Sequence, residues 1–175
     1  MELQRQEHEQ QPRAAHIQVE LDLRLLKAAA AGNLERVQAA HAEGGDLAAV
    51  GLNGGLPLHF AAKGGHTVVC SYLLSHGAQI DATTAHEEGG FAALWIAAQY
   101  GREDVIADLV KADAAVDRQA GDGSTALWIA AAKGNDAAVR ALLTVCSSPG
   151  CIAHLNSFGV RIVLSAELWR CGLRA

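Results

Sequence analysis

The sequence Ala-Leu-Trp-Ile-Ala-Ala occurs at residues 93–98 and returns unchanged at residues 126–131, so the two copies are 33 positions apart. Related segments fill the same frame at residues 57–62 (Pro-Leu-His-Phe-Ala-Ala) and at residues 25–29 (Leu-Leu-Lys-Ala-Ala). A glycine stands four positions after the first residue of the Ala-Ala pair in every copy, at Gly32, Gly65, Gly101 and Gly134. A fixed period of this length indicates a repeated structural unit. The chain therefore contains three to four copies of one unit.

Each copy carries the signals of two short helices joined by a tight turn. Asp22 is a suitable N-terminal cap for the first helix, and Pro57 stands where the first turn of a helix tolerates proline. Glycines end the helices because they adopt the left-handed conformation found after a helix C-terminus. The predicted helices cover residues 22–31, 34–43, 58–63, 66–75, 93–100, 103–112, 125–133 and 136–144. One such pair cannot bury its own apolar face, so the units are expected to stack.

The connection before the third unit is longer than its counterparts. Asn53-Gly54-Gly55 predicts a β-hairpin turn before the second unit. Three additional residues fall within residues 84–89, which predicts a longer and more exposed hairpin tip that contains His86, Glu87 and Glu88.

The segment Gly-Gly-Leu-Pro-Leu-His-Phe-Ala-Ala-Lys-Gly-Gly-His at residues 54–66, followed by Leu-Leu-Ser-His-Gly-Ala at residues 73–78, closely resembles an ankyrin repeat. The resemblance covers residues 22–145 well and residues 146–175 poorly. It implies an all-α fold, an ankyrin-type α-solenoid of stacked helix-turn-helix units with short hairpin loops. In the family the histidine at the position of His59 hydrogen-bonds between repeats. Trp95 and Trp128 replace it in the next two units, where we expect apolar packing in the core.

The chain divides into three segments. Residues 1–20 are polar and contain few apolar side chains, so they are expected to remain disordered. Residues 21–145 form the repeat domain, and residues 146–175 form a degenerate C-terminal half-repeat or capping helix. Ile162, Ala166, Trp169 and Leu173 share one face of that last helix. We expect this face to cap the stack, and the alternative is an exposed patch that supports self-association.

Composition excludes several classes of function. The net charge is −5, and no segment has the cluster of Lys and Arg that nucleic-acid phosphates require, so no nucleic-acid partner is expected. No apolar stretch reaches the roughly 18 residues of a membrane span, and residues 1–11 lack the apolar core of a signal peptide. We therefore expect no membrane association and an intracellular, cytoplasmic location.

Neither metal binding nor catalysis is expected. The eight histidines are scattered, and the cysteines at positions 70, 146, 151 and 171 lack the spacing of a zinc site. We expect reduced structural thiols, and a disulfide between Cys146 and Cys151 remains the alternative. Cys70 with His66 or His59 has the composition of a nucleophile and a base, but Cys70 is predicted to be buried. Residues 121–125 (Gly-Asp-Gly-Ser-Thr) lack the lysine and spacing of a phosphate-binding loop and are assigned to a hairpin tip. The chain is predicted to be no enzyme and to need no cofactor.

The resemblance implies that another protein binds on a concave surface built from the hairpin tips and the ends of the first helices. Carried over by position, this surface comprises Leu52, Asn53, Lys63, His86, Glu88, Phe91, Gln99, Tyr100, Gln119, Asp122, Ser124 and Lys133. Phe91 and Tyr100 are the expected anchors, because binding hot spots combine an aromatic side chain with polar surroundings. The alternative is that both rings only pack across the groove.

The predicted function is that of a monomeric adaptor or scaffold that binds a protein partner without catalysis. An alternative is that the chain is a recognition or regulatory fragment of a larger signalling protein. Self-association is the third hypothesis.

Overall fold

The computed structural model describes residues 2–51, 53–85 and 89–144, with side chains from residue 16 onward. These ranges form α-helices and no extended sheet, which confirms the all-α prediction. The helices are α1 (Glu2–Ala31), α2 (Leu34–Ala42), α3 (Pro57–Gly64), α4 (Thr67–Ser75), α5 (Ala93–Gln99), α6 (Glu103–Lys111), α7 (Ala126–Ala132) and α8 (Asp136–Leu143). Apart from the start of α1, their bounds agree with the predicted ones to within two residues. Within the part of the chain that the structure describes, no helix is long and apolar enough to cross a membrane.

The eight described helices pack as two parallel rows. The first helices of the units, α1, α3, α5 and α7, contact one another in succession, and so do the second helices, α2, α4, α6 and α8. Each first helix also packs against its own second helix. The result is the stack of helix pairs that the period predicted, in which each unit contacts mainly its neighbours.

Small side chains line the contacts between first helices, and larger ones fill the space between the rows. Ala61, Ala97 and Ala130 are fully buried, which allows the helix backbones to approach closely. Behind them Leu73, Leu109 and Leu142 are also fully buried. Trp95 belongs to this core as predicted, whereas Trp128 is only partly buried and packs against it.

The N-terminal cap residues of the second helices α4, α6 and α8 each contact the preceding unit. Nε2 of His66 lies 3.1 Å from the carbonyl oxygen of Ala30, and Nε of Arg102 donates to the carbonyl oxygen of Lys63 at 3.0 Å. Nδ2 of Asn135 donates to two carbonyl oxygens, those of Ala98 and Gln99, at 2.8 and 2.9 Å. Carbonyls at a helix C-terminus lack partners within their own helix. These side chains therefore stabilise the ends of the first helices and fix each unit against the one before it.

Gly32 provides a test of this contact. Its φ is +69°, and a β-carbon there would lie 2.3 Å from Nδ1 of His66. Gly134 has nearly the same φ, +70°, but a β-carbon there would meet no atom within 4 Å. Both Gly→Ala variants carry the left-handed strain of about 1–2 kcal/mol. Gly32→Ala must also displace His66 from Ala30, which adds about 1 kcal/mol.

We therefore expect Gly32→Ala to lower the free energy of unfolding by about 2–3 kcal/mol, and Gly134→Ala by about 1 kcal/mol less, in urea titrations followed by circular dichroism. Equal losses for the two variants would show that His66 does not hold the units together.

The hairpin tips confirm the predicted insertion. The turn closes with a hydrogen bond between residues 51 and 55 in the second unit and between residues 120 and 124 in the fourth, at 2.8 Å each. In the third unit the corresponding bond joins residues 84 and 91, so three residues are inserted. Neighbouring tips are also connected, because the amide of Ala85 donates to Gly54 and that of Gly121 donates to Gly89, at 2.8 and 2.7 Å.

The predicted start of the first helix is wrong, because α1 begins at Glu2 and not at Asp22. Asp22 lies inside the helix, and its carboxylate accepts from the amide of Asp46 at 2.9 Å and from the side chain of Gln18 at 2.8 Å. The amide group of Gln18 also donates to the carbonyl oxygen of Gly44 at 3.0 Å. The expectation of disorder in residues 1–20 is corrected for residues 2–20. Many side chains of this segment are long, unbranched and polar, and such side chains favour a helix because they lose little rotamer freedom in it.

The boundaries of the three segments as domains stay a prediction. The predicted C-terminal half-repeat or cap at residues 146–175 lies outside the described residues, and so do Cys146, Cys151 and Cys171.

Candidate partner-binding surface

The twelve residues predicted to bind a partner differ in their accessibility. Leu52, His86 and Glu88 lie outside the described residues. Phe91 and Gln99 are partly buried, and Ser124 is buried. The exposed members are Asn53, Lys63, Tyr100, Gln119, Asp122 and Lys133.

The exposed members fall into two groups. Asn53 and Asp122 lie on hairpin turns, Gln119 lies directly before the turn of the fourth unit, and we call these three residues the tip margin. Lys63, Tyr100 and Lys133, together with Gln99, lie at the C-terminal ends of three first helices, and we call them the helix-end margin. Lys63 is in the last turn of α3, Gln99 ends α5, and Tyr100 and Lys133 are the C-terminal caps of α5 and α7. Since α3, α5 and α7 are successive neighbours, these side chains form one row.

Tyr100 is the most accessible aromatic ring in this row, with 44% of its surface exposed. Nζ of Lys63, from the preceding unit, lies 5.2 Å from the centroid of the Tyr100 ring. An ammonium group within about 6 Å of a ring face is attracted by the ring quadrupole. The two side chains therefore support each other on the surface.

Phe91 has a different environment from Tyr100. Its ring stacks on that of Trp95 with centroids 4.0 Å apart and an interplanar angle of 26°. This contact matches the alternative in which Phe91 packs within the protein. Its part in partner binding stays a prediction.

Ser124 must be removed from the set of accessible partner contacts. It is only 4% exposed. Nε1 of Trp95 donates to its Oγ at 2.8 Å, and that hydroxyl donates to the carboxylate of Asp122 at 2.6 Å. The expectation that tryptophan brings only apolar packing to this position is also wrong for Trp95. Its indole N–H reaches the next unit's hairpin and so forms a hydrogen bond between repeats.

His59 makes the corresponding contact one unit earlier. Its Nδ1 accepts from the amide of Leu56 at 3.0 Å, and its Nε2 lies 2.9 Å from the carbonyl oxygen of Ala82. A carbonyl only accepts, so Nε2 carries the hydrogen and Nδ1 remains an acceptor. Burial of the ring lowers the pKa of His59 below its ordinary value, while the bond to Ala82 acts in the opposite direction. The side chain thus connects the second unit to the start of the third as a neutral imidazole.

Val50 is an exposed residue beside the tip margin that was not among the predicted partner contacts. Val50 is 60% exposed and immediately precedes the turn of the second unit, at the position that Gln119 occupies before the turn of the fourth. The same frame that selected Gln119 selects Val50. It adds an apolar contact to an otherwise polar margin.

The described residues give no support to a thiol nucleophile. Cys70 is fully buried. Burial, with a smaller contribution from the charge of Asp108, raises its pKa to about 12. The imidazoles of His59 and His66 are both engaged with backbone groups. Since the thiolate is the reactive form, Cys70 is suited to packing.

The tip at residues 121–124 is a closed turn. The amide of Gly121 donates to Gly89, that of Gly123 donates to Ala120, and that of Ser124 donates to the carboxylate of Asp122. A phosphate-binding loop needs free backbone amides directed at its ligand. In addition, the described residues contain no group of three or more potential metal ligands.

Comparison with protein families identifies the repeat. A model of three ankyrin repeats matches residues 25–120, and a single ankyrin repeat matches residues 122–153. A search of curated proteins finds no match. Domains of this family are generally protein-interaction modules and are typically non-catalytic. The matched ranges cover more than half of the chain and, among the described residues, overlap each of the stacked helix pairs, and the chain therefore belongs to the ankyrin repeat family.

Proposed function

We propose that this chain is a non-enzymatic adaptor or scaffold that binds another protein between the tip margin and the helix-end margin. The observation that carries the proposal is the exposed ring of Tyr100, held under the ammonium group of Lys63 in the middle of a row of first-helix ends. Aromatic anchors surrounded by polar groups are typical of binding hot spots.

The surface is held in place before any partner arrives. Backbone hydrogen bonds join neighbouring hairpin tips, and the caps His66, Arg102 and Asn135 fix the ends of the first helices. A preorganised surface loses little conformational freedom on association, and this lowers the cost of binding. The arrangement therefore favours a recognition surface that acts as a rigid unit.

The proposal includes a monomeric state. Self-association through the face of Ile162, Ala166, Trp169 and Leu173 rests on residues outside the described part and stays a prediction. The alternative of a regulatory fragment of a larger signalling protein also stays a prediction.

Tyr100→Ala tests the surface directly. Truncating a central aromatic anchor costs about 2 kcal/mol or more, which corresponds to roughly a 30-fold loss of affinity. We expect this loss for a partner captured from cell extract by the full chain and then measured as a purified protein by isothermal titration calorimetry. Phe91 is kept intact, because its stack on Trp95 makes Phe91→Ala a change of the core.

Val68→Ala is the matched control, because Val68 is 64% exposed and lies on the second helix α4. It is expected to bind like the unchanged chain. A partner that binds Tyr100→Ala and Val68→Ala equally well would place the interaction elsewhere and contradict the proposal.

A further inference from the structure

The helix-end margin carries positive charge in a chain whose net charge is −5. Lys63 and Lys133 are exposed, and neither has a carboxylate within 4 Å among the described residues. Two other basic groups are paired, because Arg24 lies 2.7 Å from Glu43 and Lys111 lies 3.6 Å from Asp108. The row of first-helix ends therefore presents two ammonium groups whose charge is not neutralised by a described neighbour.

Asp122 is the acidic residue of the tip margin, and it lies on the hairpin turn of the fourth unit and not among the first-helix ends. The carboxylate of Asp122 accepts from both the amide and the hydroxyl of Ser124, at 2.9 and 2.6 Å. These bonds orient the carboxylate within its own turn and leave its negative charge in place. Within the helix-end margin itself, the charged side chains are those of Lys63 and Lys133.

An explanation of these lysines without a binding role is that cationic side chains at helix C-termini complement the helix dipole. It accounts for the presence of Lys63 and Lys133 but not for the position of the Lys63 ammonium group. That group lies over the ring of Tyr100 in the next unit, while the carbonyl oxygen of Lys63 accepts from Arg102. Lys63 is therefore positioned along the row and toward the neighbouring unit.

We infer that the partner presents an extended acidic segment, with two carboxylates that pair with Lys63 and Lys133 and an apolar side chain between them that packs on Tyr100. This inference rests on the proposed function and specifies the chemistry of the partner. Neighbouring packed helices lie about 8–10 Å apart, so the two steps from α3 to α7 span roughly 16–20 Å. An extended chain advances about 3.3 Å per residue. The two acidic residues are accordingly about five or six positions apart.

A peptide library gives the test. The full chain is immobilised and used to select from displayed random 16-residue peptides. The expected result is enrichment of sequences in which Asp or Glu recurs at a spacing of five or six with an apolar residue between them. The affinity of the selected peptides is then measured by fluorescence anisotropy.

Two double variants that each remove two positive charges distinguish binding at this surface from a general electrostatic attraction between the chain and an acidic peptide. Lys63→Gln/Lys133→Gln is expected to weaken the selected peptide at least tenfold and to reduce the salt dependence of binding. Lys111→Gln/Arg140→Gln removes the same charge from exposed positions on α6 and α8 and is expected to change affinity less than twofold. Thermal unfolding by circular dichroism verifies that both double variants remain folded.

Failure of the inference differs from failure of the proposed function. Selected peptides that bind Tyr100→Ala more weakly but contain no acidic residues contradict the acidic partner and still support the proposed surface. The same conclusion follows if peptides that depend on Tyr100 keep their affinity for Lys63→Gln/Lys133→Gln. Equal loss with both double variants also overturns the acidic partner. Peptides that are insensitive to Tyr100→Ala and to Lys63→Gln/Lys133→Gln overturn both.

Discussion

Replacing Trp95 by alanine is expected to lower the free energy of unfolding by about 3–5 kcal/mol. The side chain is only 7% exposed, stacks on Phe91, and donates its indole N–H to Ser124 at 2.8 Å. Its removal leaves a cavity at the centre of the stack, uncovers one face of Phe91, and takes a hydrogen-bond donor from a buried hydroxyl. Urea unfolding followed by circular dichroism measures the effect, since its midpoint and slope give the free energy directly.

Two further variants separate the contributions of Trp95. Trp95→Phe keeps an aromatic ring but loses the bond to Ser124, and it is expected to cost about 1–3 kcal/mol. Val68→Ala, at an exposed site on α4, is expected to change stability by less than about 0.5 kcal/mol. A loss for Trp95→Ala no larger than that for Val68→Ala would show that Trp95 does not join the third and fourth units.

The repeat frame predicted the architecture because its signals are local. The glycine after each first helix and the alanines at the contacts between units recur at fixed positions. The glycines favour a turn at the end of each first helix, and the alanines allow neighbouring units to pack closely. The three-residue insertion could be counted in the same way, by comparing residues 81–90 with residues 117–123. For the same reason the helix bounds agree with those observed, except at the start of α1.

Contacts between distant residues could not be predicted in this way. The partner of the Trp95 indole is a hydroxyl 29 residues later, and no pattern in the sequence connects the two. Ser124 was therefore assigned to the surface, although its hydrogen bonds place it inside. The start of α1 was missed for a related reason. Composition shows how little apolar surface the segment has, but it does not show that Gln18 meets the end of α2.

The accessibility of several candidate residues followed from the repeat, whereas their part in partner binding stays a prediction. Tyr100, Lys63 and Lys133 followed from their places in the repeat, and all three are exposed. The contact between Lys63 and Tyr100 depends on how two neighbouring units are placed, which the sequence does not specify. Val50 was overlooked because apolar residues are usually assigned to the core. Its position beside the turn, equivalent to that of Gln119, is the better guide.

His59→Leu is expected to lower the free energy of unfolding by about 2–5 kcal/mol. Leucine fills much of the buried site but can neither accept from Leu56 nor donate to Ala82. Two backbone groups then lose their partners, at a cost of about 1–3 kcal/mol for each one that stays buried. The matched comparison is Val139→Ala, which trims a buried side chain on α8 without removing any hydrogen bond. A cost for His59→Leu below about 1 kcal/mol would show that these bonds do not stabilise the stack.

The same residue makes stability depend on pH with a definite sign. Protonation would convert the acceptor Nδ1 into a donor facing the amide of Leu56, and burial lowers the pKa of His59 below its ordinary value of 6.5. Below pH 6.5 the unfolded chain therefore binds the proton first. The contribution of His59 is fully present above 6.5 and is lost as the pH falls toward its lower folded pKa. Between pH 7.5 and pH 5 the unchanged chain should lose more stability than His59→Leu, because the remaining histidines are common to both. Parallel pH profiles for the two chains would mean that His59 is not held as a neutral acceptor between repeats.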